Sequence, residues 1–101
     1  MRYRLTRAAI QDLISLTTYG IETFGQLQAR KYHEALDRTF HLLTEMPLIG
    51  RLDEDHPGMR RFLHGRHVIV YREDEAGVLI VRLLHVAMDA PRHGVDGELD
   101  E

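Results

Sequence analysis

The first half of the chain has two stretches in which apolar residues recur at helical intervals. The first begins after Thr6, a residue type that often caps helices, and ends at Gly25, the usual residue after a helix end. Its stripe contains Ile10, Leu13, Ile14, Ile21 and Phe24, together with Thr17. The second stripe contains Ala29, Tyr32, Leu36, Phe40 and Leu43. Because Pro47 disfavours helix in the residue before it, the pattern predicts helices over residues 7–24 and 26–46.

Shorter β-type runs lie on both sides of this helical hairpin. Residues 2–6 alternate polar and apolar side chains, which predicts a strand before the first helix. Residues 47–58 contain two prolines, two glycines and three consecutive acids, which predicts a loop without regular structure. Three runs beyond it predict strands at residues 59–63, 66–72 and 78–86, and the last two are rich in Val, Ile and Leu.

The order of these elements, β-α-α-β-β-β, predicts an α+β fold in which the helical hairpin packs on a small, mainly antiparallel sheet. We expect Ile14, Ile21, Leu36 and Phe40 to be buried between the hairpin and the sheet. A length of 101 residues fits one core. We therefore assign residues 1–95 to a single domain and residues 96–101 to a frayed, acidic C-terminal tail.

The composition excludes cysteine chemistry and shows that arginine dominates the basic residues. The chain has no cysteine, which excludes disulfides, thiolate metal sites and a thiol nucleophile and suits a cytoplasmic protein. Four of the 16 acidic residues lie in residues 96–101, which leaves 12 acids and all 13 basic residues in residues 1–95. Twelve of those basic residues are arginines. Arginine suits interfaces that bind carboxylates or phosphates, although a GC-rich genome would give the same excess.

Five strings in this order and spacing resemble one family. They are YGIETFGQLQARKY in the hairpin, PLIGR at residues 47–51, GMRRF at residues 58–62, HVIVYR at residues 67–72, and VRLLHVAMDAPRH at residues 81–93. Together they resemble the ParE branch of the RelE/ParE toxin superfamily, from about residue 3 to residue 93. The resemblance implies a type II toxin that is neutralised by a ParD-like antitoxin, whose C-terminal segment wraps the toxin. It also implies DNA gyrase as the target, inhibited by protein binding.

The RelE branch of the same fold cuts messenger RNA on the ribosome, so an endonuclease is the alternative. Side chains for such chemistry would come from neighbouring strands, namely Arg60, Arg61, His64, His67, Arg82 and His85. The RelE pattern, however, has lysines before the sheet and a tyrosine near the C-terminus. Here residues 47–58 contain no lysine, and Met88 and Asp89 occupy the tyrosine's region. We therefore predict a binding protein with no catalytic residues.

Two other kinds of site, a zinc site and a DNA-binding unit, are not predicted. His64, His67 and His85 could bind zinc, but we expect residues three apart in a β-hairpin to face opposite sides, so no metal site and no cofactor are predicted. The two helices around Gly25 resemble a DNA-reading unit, but the second helix carries acidic as well as basic residues and so has no basic face. Sequence-specific binding to DNA is therefore not expected either.

The residues predicted to contact the antitoxin or the target are mostly arginines of the sheet and side chains after it: Arg51, Arg60, Arg61, Arg82, His85, Met88, Asp89 and Arg92. Antitoxin acids are expected to meet Arg60, Arg61 or Arg82. Two of these residues also have structural alternatives. Arg82 could pair with Asp89 or another acid, and His85 could be a partly buried side chain bonded to a backbone carbonyl.

Overall fold

The computed structural model of the protein describes residues 2–89. Strand β1 (Tyr3–Leu5) leads into helices α1 (Arg7–Phe24) and α2 (Gln26–Glu45). Strands β2 (Arg51–Leu52), β3 (Arg60–His64), β4 (His67–Asp74) and β5 (Gly77–His85) follow, and the short helix α3 (Val86–Asp89) ends the described part. The strands form one sheet in the order β1-β5-β4-β3-β2. The predicted α+β class is confirmed.

The sheet is mixed because its first strand runs parallel to its last. β1 pairs with β5 in parallel, whereas the β2–β3, β3–β4 and β4–β5 pairs are antiparallel. The three predicted strands of the second half are therefore confirmed with small shifts of their ends. The short strand β2 lies inside the region that was predicted to be an irregular loop, and that part of the prediction is wrong. Strand β2 has only two residues, which pair with Arg61 and Arg60. A strand of this length is too short to give a sequence pattern.

Local signals position the helical hairpin as predicted. The Thr6 hydroxyl accepts a hydrogen bond from the Ala9 amide at 3.0 Å and so caps α1. Gly25 separates the helices with φ of +91°, a backbone conformation that side chains disfavour. A Cβ atom on Gly20 would lie 3.5 Å from the Ala29 Cβ, so the two helices approach closely there.

The predicted buried stripe is right for α2 and wrong for α1. Leu36 and Phe40 are 0% and 2% exposed, but Ile14 and Ile21 are 56% and 41% exposed. Helix α1 packs on the core with an overlapping line of residues, which shares Leu13 with the predicted stripe and adds Ala9 and Leu16. Both lines have helical spacing, so periodicity could not distinguish them. The small Ala9 side chain, which is fully buried, allows the helix backbone to lie close to the sheet.

The core lies between the hairpin and one face of the sheet. Its other buried members come from α2, β4 and β5: Leu43, Ile69, Tyr71, Val78, Ile80 and Leu83. In the described residues no helix is long and apolar enough to cross a membrane. The predicted tail at residues 96–101 and the site residue Arg92 lie outside the described residues.

Candidate partner-binding groove

An apolar groove opens between the hairpin and the end of the sheet that carries the β3–β4 turn. Its volume is about 680 Å³, within the usual range for binding pockets. Much of its wall is small or apolar: Leu16, Gly20, Phe24, Ala29, Ala35 and Leu83. Polar side chains gather at the end near the turn, where Tyr32, Arg66, His67 and His85 line it. We call this part the histidine end of the groove.

Tyr32 joins α2 to the β3–β4 turn. Its hydroxyl lies 3.1 Å from the His64 carbonyl oxygen and 2.7 Å from the His67 Nδ1, and it accepts from the Arg66 amide at 3.3 Å. Gly65 makes this approach possible, since its φ is +56° and a Cβ there would lie 2.8 Å from the Tyr32 oxygen. Burial raises the pKa of Tyr32 above its usual value, so the hydroxyl keeps its proton at neutral pH.

The His67 and His85 rings are neighbours across the β4–β5 pair. The two residues are register partners, and their ring centroids lie 5.4 Å apart in an edge-on arrangement. Burial lowers the pKa of His67, and the nearby His85, His64 and Arg66 lower it further. The His85 Nδ1 accepts a hydrogen bond from the Ala87 amide at 3.0 Å. His85 is half-buried, as in its structural alternative, but the backbone group that it bonds is an amide and not a carbonyl.

The remaining charges at the groove differ in how far they are already paired. The Asp12 carboxylate accepts two hydrogen bonds from Arg82, at 2.7 and 2.9 Å, and one from the Leu83 amide at 2.9 Å. Arg82 was predicted to pair with Asp89 or another acid, and the acid is Asp12. The Arg66 guanidinium lies 5.3 Å from the centre of the Phe24 ring and is exposed to solvent.

A second charged region lies around residues 46–59. We call these residues the acidic loop. Asp53 is fully buried in it, accepts from the Asp55 amide at 2.9 Å and lies 3.6 Å from the Arg61 guanidinium. Arg61 itself is only 8% exposed. The Tyr71 hydroxyl donates to the Pro47 carbonyl at 2.8 Å and accepts from the Gly50 amide at 2.9 Å.

The predicted site residues fall into separate places. Arg60 donates to the Gly50 carbonyl at 2.8 Å, Arg61 is buried against Asp53, and Arg51 is exposed on the edge strand β2. Of the predicted residues whose side chains the structure describes, only His85 lines the groove, and so does Asp12, the partner of Arg82. Met88 and Asp89 belong to α3, which directly follows His85. These positions do not test whether the residues bind a partner.

Sequence reasoning missed several groove residues and misjudged one turn. The sequence pattern places Tyr32 in the core, and it does not predict Arg66 or Lys31 as binding residues. His64 and His67 were expected on opposite sides, but they pair across a two-residue turn and both rings contact Tyr32. The hairpin rule for short turns could have found this. Within residues 2–89, no group of three or more His, Cys, Asp or Glu side chains is arranged to hold a metal ion.

Solved structures with the same arrangement of helices and strands define the class of fold. A chain of the chromosomal ParDE TA system from P. aeruginosa matches with a TM-score of 0.73 and 22% identity, covering 85% of this chain and 96% of that one. The toxin-antitoxin complex RelBE2 from Mycobacterium tuberculosis matches with a TM-score of 0.59 and 25% identity, over 82% of this chain and 94% of that one. The fold is therefore of the RelE/ParE type.

Sequence comparison gives the family. Residues 3–90 match the model of the ParE toxin of the type II toxin-antitoxin system parDE. Toxin ParE1 of Caulobacter vibrioides is 39% identical over 92 residues, which are 90% of this chain and 95% of that protein. This chain belongs to the ParE toxin family, and the resemblance noted in its sequence is confirmed.

Proposed function

We propose that this toxin is neutralised by a ParD-like antitoxin and that it inhibits DNA gyrase in the cytoplasm by binding, without catalysis and without a cofactor. The observation that carries the proposal is the family match over residues 3–90. Relatives of the same fold occur in a ParDE system and in a RelBE2 toxin-antitoxin complex. Both neighbours support an antitoxin as the partner.

The groove is the surface we assign to the antitoxin. It offers about 680 Å³ lined largely by apolar side chains, and such a surface suits the apolar face of an amphipathic segment. The neighbouring line on α1 also leaves apolar side chains uncovered, since Ile10 is 46% exposed and Ile14 56%. An antitoxin segment that wraps the hairpin would bury both surfaces. Contacts of its acids with Arg60 and Arg61 stay a prediction.

The internal pairing of the arginines supports binding rather than catalysis. A catalyst of RNA cleavage needs cations that are free to meet a phosphate in the transition state. Here the Arg61 guanidinium is buried beside Asp53, and Arg82 is engaged by both oxygens of Asp12. Two of the arginines that an endonuclease of this fold would use are thus held by carboxylates of the same chain.

A gyrase assay tests the proposal directly. Purified toxin added to a supercoiling reaction should inhibit it and accumulate linear or nicked DNA, and the antitoxin encoded beside the gene should restore supercoiling. We assign much of the gyrase contact to the segment from Arg82 to Arg92. Deletion of residues 88–101 should therefore reduce inhibition more than it reduces stability. In cells, induced expression should trigger a DNA-damage response, and a chain without toxin activity would cause no growth arrest.

One observation favours an mRNA endonuclease as the second candidate. His67 and His85 lie with ring centroids 5.4 Å apart in a groove, and two imidazoles can act as general acid and base. In a translating extract, cleavage of messenger RNA that disappears in His67→Gln and His85→Gln, together with unaffected gyrase, would replace the gyrase proposal with this one.

A further inference from the structure

The histidine end of the groove has an excess of cationic and titratable groups over acids. Lys31, Arg66, His67 and His85 line the groove, and the one carboxylate among its described lining residues is Asp12. Asp12 is already matched by the two hydrogen bonds from Arg82. The groove therefore offers positive charge that no lining residue of this chain neutralises, at the end where the imidazoles lie.

The hydrogen bonds around Tyr32 determine which imidazole nitrogen can take up a proton. The Tyr32 hydroxyl has one proton, and the His64 carbonyl can only accept it, while the Arg66 amide can only donate. All three contacts are satisfied together when the His67 Nδ1–H donates to the Tyr32 oxygen. His67 Nε2 then carries the free lone pair, and within residues 2–89 it has no hydrogen-bond partner. His67 can be protonated there without breaking any of these bonds.

His85 behaves differently. Its Nδ1 is already engaged as an acceptor from the Ala87 amide. The other groups around His67 are Tyr32 from α2, His64 from β3, and Arg66 from the turn. The described neighbours that act electrostatically on His67 are cationic or become so on protonation. A negative charge supplied by a partner would reverse this balance.

We infer that the histidine end binds a carboxylate of the antitoxin segment, and that His67 takes up a proton when it does, so the complex becomes tighter as the pH falls from 8 to 6. The inference rests on the proposed function, because it specifies the contact made by the same groove. The lowered pKa of free His67 supports it, since a neutral imidazole in the free toxin leaves a proton to be gained on binding.

A protein carboxylate fits this groove better than a nucleic-acid phosphate. Most of the wall is apolar, with Leu16, Ala29 and Leu83 among its residues, and an apolar wall gains nothing from a hydrated sugar-phosphate chain. An amphipathic protein segment would bury its apolar face along this wall. It would also place an acidic side chain at His67, with Arg66 beside it.

The test measures the affinity of the full-length toxin for the full-length antitoxin encoded by the adjacent gene, between pH 6 and 8 at constant salt. We expect binding to strengthen by about fivefold to tenfold towards pH 6, a coupling of ordinary size. His67→Gln should abolish most of this pH dependence while the complex still forms at pH 8. His41→Gln is the matched control, because His41 is exposed on α2 and does not line the groove.

A second measurement follows the imidazoles themselves. In NMR titrations the pKa of His67 should be higher in the complex than in the free toxin. A complex with the same affinity at every pH, or an unchanged His67, overturns the inference and leaves the antitoxin as partner. No complex at any pH overturns the proposed function as well. If a short single-stranded RNA, and not the antitoxin, shifts the His67 signal, the site binds phosphate and the inference is wrong.

Discussion

The acidic loop with its neighbours Arg61 and Tyr71, and the histidine end of the groove, both bring together arginine, histidine and tyrosine side chains, yet they use them differently. At the centre of the loop the charges are turned inward: Asp53 is fully buried beside Arg61, and His56 lies 3.0 Å from the same carboxylate, whereas Arg51 and Glu54 are exposed. At the histidine end Arg66 is exposed, and His67 keeps one ring nitrogen unbonded within the described chain. The loop charges hold a β-edge in place, whereas the groove charges are left available to a partner.

The contrast teaches which charged residues to expect at an interface. A cation that is already desolvated and paired gains little from a second carboxylate, and its removal mainly harms the fold. A partly exposed cation beside apolar surface costs little to the free protein and can contribute to a complex. Mutations of the buried charges of the loop should therefore change stability, and mutations at the histidine end should change affinity.

The largest expected effect comes from removing the buried carboxylate of the loop. Asp53→Ala leaves the Arg61 guanidinium buried without this partner, and such a loss typically costs about 3–5 kcal/mol of unfolding free energy. Urea unfolding followed by circular dichroism measures it. Glu54→Ala is the matched control, since Glu54 is exposed in the same loop and should change stability by less than about 0.5 kcal/mol. Equal effects of the two variants would contradict the assigned role.

Low pH should also remove the charge of Asp53, by protonation, with a smaller loss of stability. Burial raises the pKa of Asp53, but the Asp55 amide, His56 and Arg61 outweigh it, and the net pKa lies below the usual 3.8. A carboxyl with a lowered folded pKa stabilises the fold above its unfolded pKa, and this contribution disappears as the pH falls through the folded value. We expect stability to decrease below about pH 4.

The loss in acid should be smaller than that in Asp53→Ala, because a protonated carboxyl still fills its site and accepts from the Asp55 amide. Unfolding measured from pH 6 to pH 2 in the wild type and in Asp53→Asn checks this. The unfolding free energy of the variant should depend less on pH in this range than that of the wild type. A variant with the full wild-type acid dependence would assign the titration to other carboxyls.

Removing the Tyr71 hydroxyl should have an intermediate effect. Tyr71→Phe leaves the Pro47 carbonyl and the Gly50 amide without this buried partner, which typically costs about 1–3 kcal/mol. The loss should appear as earlier unfolding in urea and as faster hydrogen exchange at the Gly50 amide. Tyr19→Phe, on an exposed side chain of α1, serves as the control. Unchanged exchange at Gly50 would argue against the bond.

The smallest effect on stability is expected at the groove. Arg66→Ala removes an exposed cation–π contact with Phe24, worth about 0.5–1 kcal/mol of unfolding free energy. Its affinity for the antitoxin should nevertheless decrease by about threefold to tenfold, mainly through slower association. Surface plasmon resonance gives both rate constants, with Arg72→Ala on the exposed part of β4 as control. A large loss of stability with unchanged affinity would reverse the comparison between the two regions.

Local patterns in the sequence determined most of the elements. The helix spacing, the Thr6 cap and the turn at Gly25 predicted α1 and α2 nearly to the residue, because capping and helical periodicity act between residues three or four apart. The β-type runs predicted four of the five strands, one at the start of the chain and three in its second half, and the motif strings predicted the family. The two-residue strand β2 was missed, since its pairing with β3 is all that distinguishes it.

Only the tertiary structure decided which groups meet. Two overlapping apolar lines on α1 have the same period, and packing against the sheet selected the one that contains the small Ala9. Arg82 pairs with Asp12, which is 70 positions away in the sequence, and Tyr32 contacts His67, which is 35 positions away. The energy of such contacts depends on the distance and solvent exposure of groups far apart in the chain, which no local pattern encodes. For that reason the sequence predicted a toxin of this family, but the groove and its histidine end emerged only from the fold.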